Sequence, residues 1–218
     1  VRVVQPEGAR GSLKWIQRAI NDEASSFDPL VLAKLPRART IRWLSPLRDD
    51  GYAEYRDAAF VAKIGRPELA PDLAEFWPSR GPQWDALGTT DAGQVLLIEA
   101  KAHVGEVCSP GTQAGERSFE KIAASLARAA ESLGAKPLAP WTDGFYQLAN
   151  RIAHLWFLRE SGLDAYLVLV DFVGDVEMRG PATEEAWDAA YLVANYVLGL
   201  GKRHSLSGYI RHVRPLLS

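Results

Sequence analysis

The stretch "QWDALGTTDAGQVLLIEAKAH", residues 83–103, decides how this chain is read. Residues 95–98 form a short apolar run of the kind that makes a buried strand. Yet the run closes on Glu99 and Lys101, and Asp85 stands in the segment before it. Charged side chains in a core are costly unless they are paired, hold an ion or carry out chemistry. Asp91-Ala92-Gly93 suits a three-residue hairpin loop with Gly93 in the left-handed conformation. Residues flanking the loop then pair so that their numbers sum to 184: 90 with 94, 87 with 97, 85 with 99. That register predicts Asp85 directly across from Glu99. Because side chains alternate along a strand, Lys101 shares the face of Glu99, while Ile98 and Ala100 point the other way.

Two carboxylates brought this close repel, so one takes a proton or both hold a cation. An oxygen-only donor set suits a hard ion, Mg²⁺ or Mn²⁺, rather than zinc. A lysine beside such an ion can stabilise a developing anion or help deprotonate an attacking water. The same three residues also admit a plainer reading, a charged strand end forming a solvated ion pair.

Asp85, followed after a short hairpin by Glu99-Ala100-Lys101, resembles the signature of the PD-(D/E)xK nuclease superfamily. The resemblance implies a restriction-endonuclease-like fold, a mixed α/β sheet flanked by helices on both faces. It implies Asp85 and Glu99 as metal ligands with the Ala100 carbonyl as a third, and Lys101 as the catalytic lysine. Members commonly carry an acid on a helix before the hairpin, and Glu54 in "YAEYRDAAF" takes that place. The chain departs from the usual Pro-Asp dipeptide, since Trp84 precedes Asp85 and the proline lies earlier, at Pro82. The motif region covers roughly a fifth of the chain. Some members carry a Gln-x-x-x-Tyr pair on a later helix; here Gln147 is followed by Arg151, so that likeness is partial.

Outward from the hairpin the chain is mostly helical. "GSLKWIQRAINDEASSF" has a helical period, with Leu13, Ile16, Ala19 and Ile20 on one face and Ser12 as its cap. Residues 52–64 read as helix, closed by Gly65 and Pro67, and a short helix or turn follows at 69–76. Further helices are predicted at 117–133, 144–160 and 183–198, with strands at 165–173 and 209–213. The unbroken apolar run at 165–173 suggests a strand covered on both faces. The expected organisation is a single domain over 1–218. Its parts are a helical and basic segment at 1–50, a nuclease-like core at 51–175, and a helix with a basic tail at 176–218.

Gln147, Arg151 and His154 make one polar stripe on an apolar helix. Gln147 is read as orienting water and Arg151 as holding a phosphate, with a solvent-facing stripe as the alternative. His103, two residues beyond Lys101, would share its strand face and touch substrate, or be structural.

A formal charge of −2 in 218 residues gives no global sign of nucleic-acid affinity, so any such surface has to be local. Two stretches are locally basic: Lys34 to Arg42, and Lys202-Arg203-His204 with Arg211, His212 and Arg214. One cysteine, Cys108, excludes an intramolecular disulfide and a cysteine-based zinc site. No apolar run reaches the length of a membrane span. The expectation is a cytoplasmic, Mg²⁺- or Mn²⁺-dependent nuclease whose partner is nucleic acid, DNA first. No membrane is involved, and a homodimer stays open. The alternative is a non-catalytic nucleic-acid-binding or assembly module with the same fold.

Overall fold

A computed structural model of the chain describes residues 1–217. In chain order it comprises β1 (Arg2–Val3), α1 (Gly11–Asn21), α2 (Ala24–Leu32), β2 (Ile41–Ser45), β3 (Glu54–Tyr55), α3 (Asp57–Lys63) and α4 (Ala70–Phe76). Then follow β4 (Ala86–Thr90), β5 (Val95–Lys101), α5 (Glu116–Ser132), α6 (Tyr146–Glu160), β6 (Ala165–Asp171), α7 (Glu184–Val197) and β7 (Ile210–Val213). Five strands form one mixed sheet in the order β2-β4-β5-β6-β7. The first three are antiparallel neighbours, and β6 and β7 continue parallel to β5. No helix is long and apolar enough to cross a membrane among the described residues.

The hairpin forms in the register that its turn dictates. Ala86 pairs with Ile98, Leu87 with Leu97 and Gly88 with Leu96, each summing to 184. Gly93 adopts φ +77°, the left-handed conformation that a side chain would strain. Helices cover both faces of the sheet, which explains why β5 and β6 are buried along their whole length. On one face, Ile16, Ile20, Phe27 and Val31 of α1 and α2 pack against Leu96, Ile98, Tyr166 and Val168. On the other, Phe60, Leu126, Leu155 and Trp187 from α3 to α7 lie over Leu97, Leu167 and Leu169. This second face also receives Glu99 and Lys101, by the same alternation.

Four local expectations are corrected. Glu54 lies not on a helix but on β3, where it pairs with Val3, and α3 begins only at Asp57. Its strand partner is about fifty residues away, so no window around Glu54 contains it. The segment 1–50, expected to be helical and basic, also holds β2, an edge strand with Arg42 facing solvent and with Pro36 and Pro46 beside it. Prolines at its flanks do not disturb an edge. The single helix expected over 11–27 breaks at Asp22-Glu23, and Ser12 does not cap it but donates from Oγ to Glu106 Oε1 at 2.8 Å. Finally, β4 starts at Ala86, so Asp85 stands one residue ahead of the strand, beside a lone bridge between Trp84 and Tyr55.

Candidate active site

The C-terminal end of β5 carries the site. A central strand exposes neither face, so Glu99 and Lys101 are buried there, 3% and 6% accessible. Asp85 reaches across from the start of β4, and its Oδ2 accepts the Ala100 N–H at 2.7 Å. The Ala100 peptide therefore faces the β4 side, toward Asp85, while the Glu99 and Lys101 side chains rise toward α6. Asp85, Glu99, Ala100 and Lys101 are brought together as their spacing implies.

The polar stripe of α6 faces this cluster and not solvent. Lys101 Nζ donates to Glu99 Oε1 and, at 2.8 Å, to Gln147 Oε1. Arg151 donates from Nε to Glu99 Oε2 and from Nη2 to the Gln83 carbonyl at 3.0 Å. Its guanidinium lies 5.0 Å from the centre of the Trp84 ring, a cation–π distance. The Glu99 carboxylate is thus held by a cation at each oxygen.

His154, the third member of the stripe, turns away from the cluster. It sits edge-on among Phe76, Trp77 and Trp84, with Nδ1 bonded to the Asn150 carbonyl at 2.9 Å. Burial pushes its pKa down to about 3, so the ring is neutral. His103 also departs from expectation. The strand has ended, and His103 and Glu106 cap one another around a turn. Glu106 Oε2 accepts the backbone N–H groups of Ala102 and His103 at 2.6 and 3.1 Å. That is a structural use of His103.

Glu54 reaches the cluster from β3. Its Oε2 accepts from the side-chain amides of Gln5, at 3.0 Å, and Gln83. Burial pushes its carboxyl up; the two glutamines oppose this, and Glu99 raises it further. Asp85 is raised well above the usual carboxylate range, first by burial and then by Glu99. Glu99 goes the other way: burial raises it, but Arg151 and Lys101 outweigh that and hold it ionised. Three carboxyl groups thus share one lysine and one arginine, and of the three only Glu99 is held toward its ionised form.

The oxygen donors of this cluster bear on a metal. No three Asp, Glu, His or Cys side chains form a ready cage among the described residues. The donors that Asp85, Glu99 and Ala100 offer are instead two carboxylates and a backbone carbonyl, all hard oxygen, in a site where burial and then Glu99 oppose ionisation of Asp85. This chemistry fits a divalent Mg²⁺ or Mn²⁺ ion.

Several participants are not in the motif. Gln5 and Gln83 position Glu54, and Trp84 carries Arg151. On β6, Asp171 is the register partner of Lys101 and fully buried. It accepts the Tyr191 hydroxyl at 2.7 Å and lies 3.0 Å from His212 Nδ1. An acid ending the apolar run "AYLVLVD" is the same signal that Glu99 gives in β5, so Asp171 was detectable; its two partners, from α7 and β7, were not.

The 34–42 stretch does not line this site, whereas in the second stretch His212 meets Asp171 and Arg214 follows β7 at the same end of the sheet. Arg39 and Thr40 donate their amides to Asp91 in the hairpin turn, and Arg37 pairs with Asp164. They lie at the opposite end of β5, ~20 Å away at ~3.3 Å per residue. Arg211 is bonded to the Lys34 carbonyl, and Arg214 is paired with Glu184 and Asp188. Cys108 is exposed and free. No family model matches the chain, and no curated protein or solved structure matches it either.

Proposed function

We propose that this protein is a metal-dependent nuclease of the PD-(D/E)xK type, hydrolysing phosphodiester bonds in DNA. The observation that carries the reading is the convergence at one strand end: Asp85 on the Ala100 amide, Glu99 and Lys101 on one face, and Gln147 on the Lys101 ammonium. An antiparallel hairpin bearing the acids, followed by helices and a strand parallel to β5, supports a restriction-endonuclease-like assignment of the sheet.

Asp85, Glu99 and the Ala100 carbonyl would hold the ion. When bound, the ion would supply charge neutralisation and an acidified water at the scissile phosphate. Lys101, fixed by Gln147 and Glu99, places an ammonium where anionic charge develops. Arg151 orients Glu99, and Gln83 and Gln5 hold Glu54 at the edge of the cluster as an additional acid. Gln147 acts by aiming Lys101, and Arg151 is committed to Glu99 rather than to a phosphate. A second reading, a binding or assembly module that no longer cuts, is favoured by one specific feature: both Glu99 oxygens are already satisfied within the protein.

Asp85→Asn separates the two. Asparagine can still accept the Ala100 amide, but it lacks the charge that burial and Glu99 oppose. A carboxyl whose folded pKa is raised stabilises fully below its unfolded value, about 3.9, and loses that contribution as pH rises through the folded value. In EDTA the variant should therefore melt higher than the wild type, by about 2–4 °C per kcal/mol relieved, with a gain that grows as pH rises from about 4. Millimolar Mn²⁺ should raise the wild-type melting temperature by mass action and leave Asp85→Asn unmoved. An equal Mn²⁺ response in both proteins would place the ion elsewhere; none in either would favour the module that does not cut.

A further inference from the structure

Helix α7 is apolar on both of its sides. Trp187, Tyr191 and Ala194 face the sheet and are buried. On the opposite side Ala186, Ala189, Leu192, Val193 and Tyr196 form a second stripe at helical spacing, and every one of them is exposed. Leu192 is 67% accessible, Val193 55% and Tyr196 70%. A surface helix ordinarily turns charged and polar residues to water, and one that is apolar all round is covered all round. Leu138, 65% accessible, borders the same stripe, with its N–H on the Val197 carbonyl at 3.0 Å.

At about 200 Å² for a fully exposed large side chain, Leu138, Leu192, Val193 and Tyr196 present ~500 Å² of mainly apolar surface. That lies toward the upper end of the largest patch on a typical monomer, about 300–600 Å². A stable interface takes about 800 Å² from each partner, as an apolar core within a polar rim. The stripe supplies the core, and the two ends of the helix supply the rim.

Those ends carry opposite charge. Glu184, Glu185 and Asp188 stand at the N-terminal end, with Glu185 in line with the stripe, one turn before Ala189. Lys136, Lys202 and Arg203 are exposed around the C-terminal end, where the Lys136 N–H meets the Gly199 carbonyl at 2.9 Å. A face that is apolar in the middle, acidic at one end and basic at the other is complementary to itself when turned end for end. A foreign partner would have to match that pattern separately, whereas a second copy carries it by symmetry.

We infer that α7 is a dimerisation helix, packed antiparallel on α7 of a second copy about a two-fold axis beside Leu192 and Val193. Residues whose numbers sum to 385 then face one another: Leu192 meets Val193 of the second copy, and the small Ala189 meets the large Tyr196. The acidic end of each helix meets the basic turn after the other, and the two helix dipoles oppose one another. The inner side of α7 holds Tyr191 on Asp171, so the contact backs one wall of the candidate site. It does not depend on the chemistry performed there.

The test is sedimentation equilibrium of the whole chain in EDTA from about 1 to about 100 μM, where an interface of standard size and modest affinity associates. Wild type should approach twice the monomer mass. Leu192→Glu places like charges beside the axis and should weaken the dimer at least about thirtyfold, the scale of one interfacial hot spot. The position is exposed, so this variant should melt as wild type does; Tyr196→Lys serves if it does not. Orientation is read by disulfide trapping in a Cys108→Ser background, which removes the one exposed thiol. Under mild oxidation Leu192→Cys should cross-link, because it lies beside the axis and a disulfide needs Cα atoms within about 7 Å. Glu185→Cys should not, since antiparallel pairing sets its two copies ~20 Å apart at ~1.5 Å per residue. A wild type that stays monomeric throughout the range overturns the inference, whatever else the helix binds. So does a dimer unmoved by both Leu192→Glu and Tyr196→Lys, or a Glu185→Cys cross-link as efficient as the one from Leu192→Cys.

Discussion

Replacing Lys101 with Met is expected to lower the rate of Mn²⁺-dependent DNA cleavage by about 10²-fold or more, the scale of removing one preorganised transition-state stabiliser. The ammonium lies inside the protein, so the substitution also touches stability. Lys101 bonds Glu99 and Gln147, but Arg151 still holds the other Glu99 oxygen after it is gone. Glu99 is therefore not left as an unpaired buried charge, and methionine fills much of the lysine stem's volume. The variant should fold, melt only modestly lower, and bind Mn²⁺ at least as tightly, since a competing cation has left the carboxylates. A loss in turnover with metal affinity retained marks a group that acts in the transition state. Measurement uses single-turnover cleavage of mixed linear, nicked and branched DNA beside calorimetric Mn²⁺ binding. Wild-type cleavage by Lys101→Met would remove the lysine from the mechanism.

The largest effect on stability is expected at Arg151. Its guanidinium meets Glu99, the Gln83 carbonyl and the Trp84 ring at once, from a side chain 5% accessible. Arg151→Met removes all three contacts and leaves Glu99 with Lys101 alone. Breaking a buried ion pair from one side costs about 3–5 kcal/mol. At about 2–4 °C per kcal/mol, the melting temperature should fall by about 10 °C. Arg151→Lys should recover only part of this, because an ammonium cannot reach a carboxylate and a carbonyl in one planar fork. The pH dependence follows from the depressed Glu99 carboxyl. Its contribution is present above the unfolded value, about 4.3, and is lost as pH falls through the folded one. Thermal melts from pH 7 down to pH 3 should show the wild type losing its advantage over Arg151→Met. A constant gap across that range would mean that packing on Trp84, and not the ion pair, sets the cost.

These two residues show how unevenly the site was legible. Lys101 could be placed from the turn alone: Gly93 sets the loop, the loop sets the register, and alternation sets the face. Each step spans fewer than twenty residues and uses only backbone geometry. Arg151 could be assigned to a helix and a stripe, but not to a partner. The stripe even divides, with Gln147 and Arg151 on the acid cluster and His154 among Phe76, Trp77 and Trp84. At 3.6 residues per turn, i and i+7 point nearly alike, and only the neighbouring elements separate them. Glu54 was selected as an acid near the motif and assigned to the wrong element. Its strand exists because the N-terminal residues fold back onto it, with Val3 as its partner and Gln5 on its carboxylate.

By itself, then, the amino-acid order determined the hairpin, its register, the shared face of Glu99 and Lys101, and the alternation of helices and strands that makes an α/β sheet. These are consequences of local dihedral preference and side-chain period. The tertiary structure alone decided that Glu99 is buried between two cations, that Asp85 rather than Glu99 resists ionisation, and that the 34–42 basic stretch stands at the far end of β5. Each of these depends on what lies across fifty or more residues of chain, where neither burial nor partner is encoded in a spacing. Desolvation and charge pairing act through space, and the free energy of an ionised group follows the neighbours that the fold brings to it.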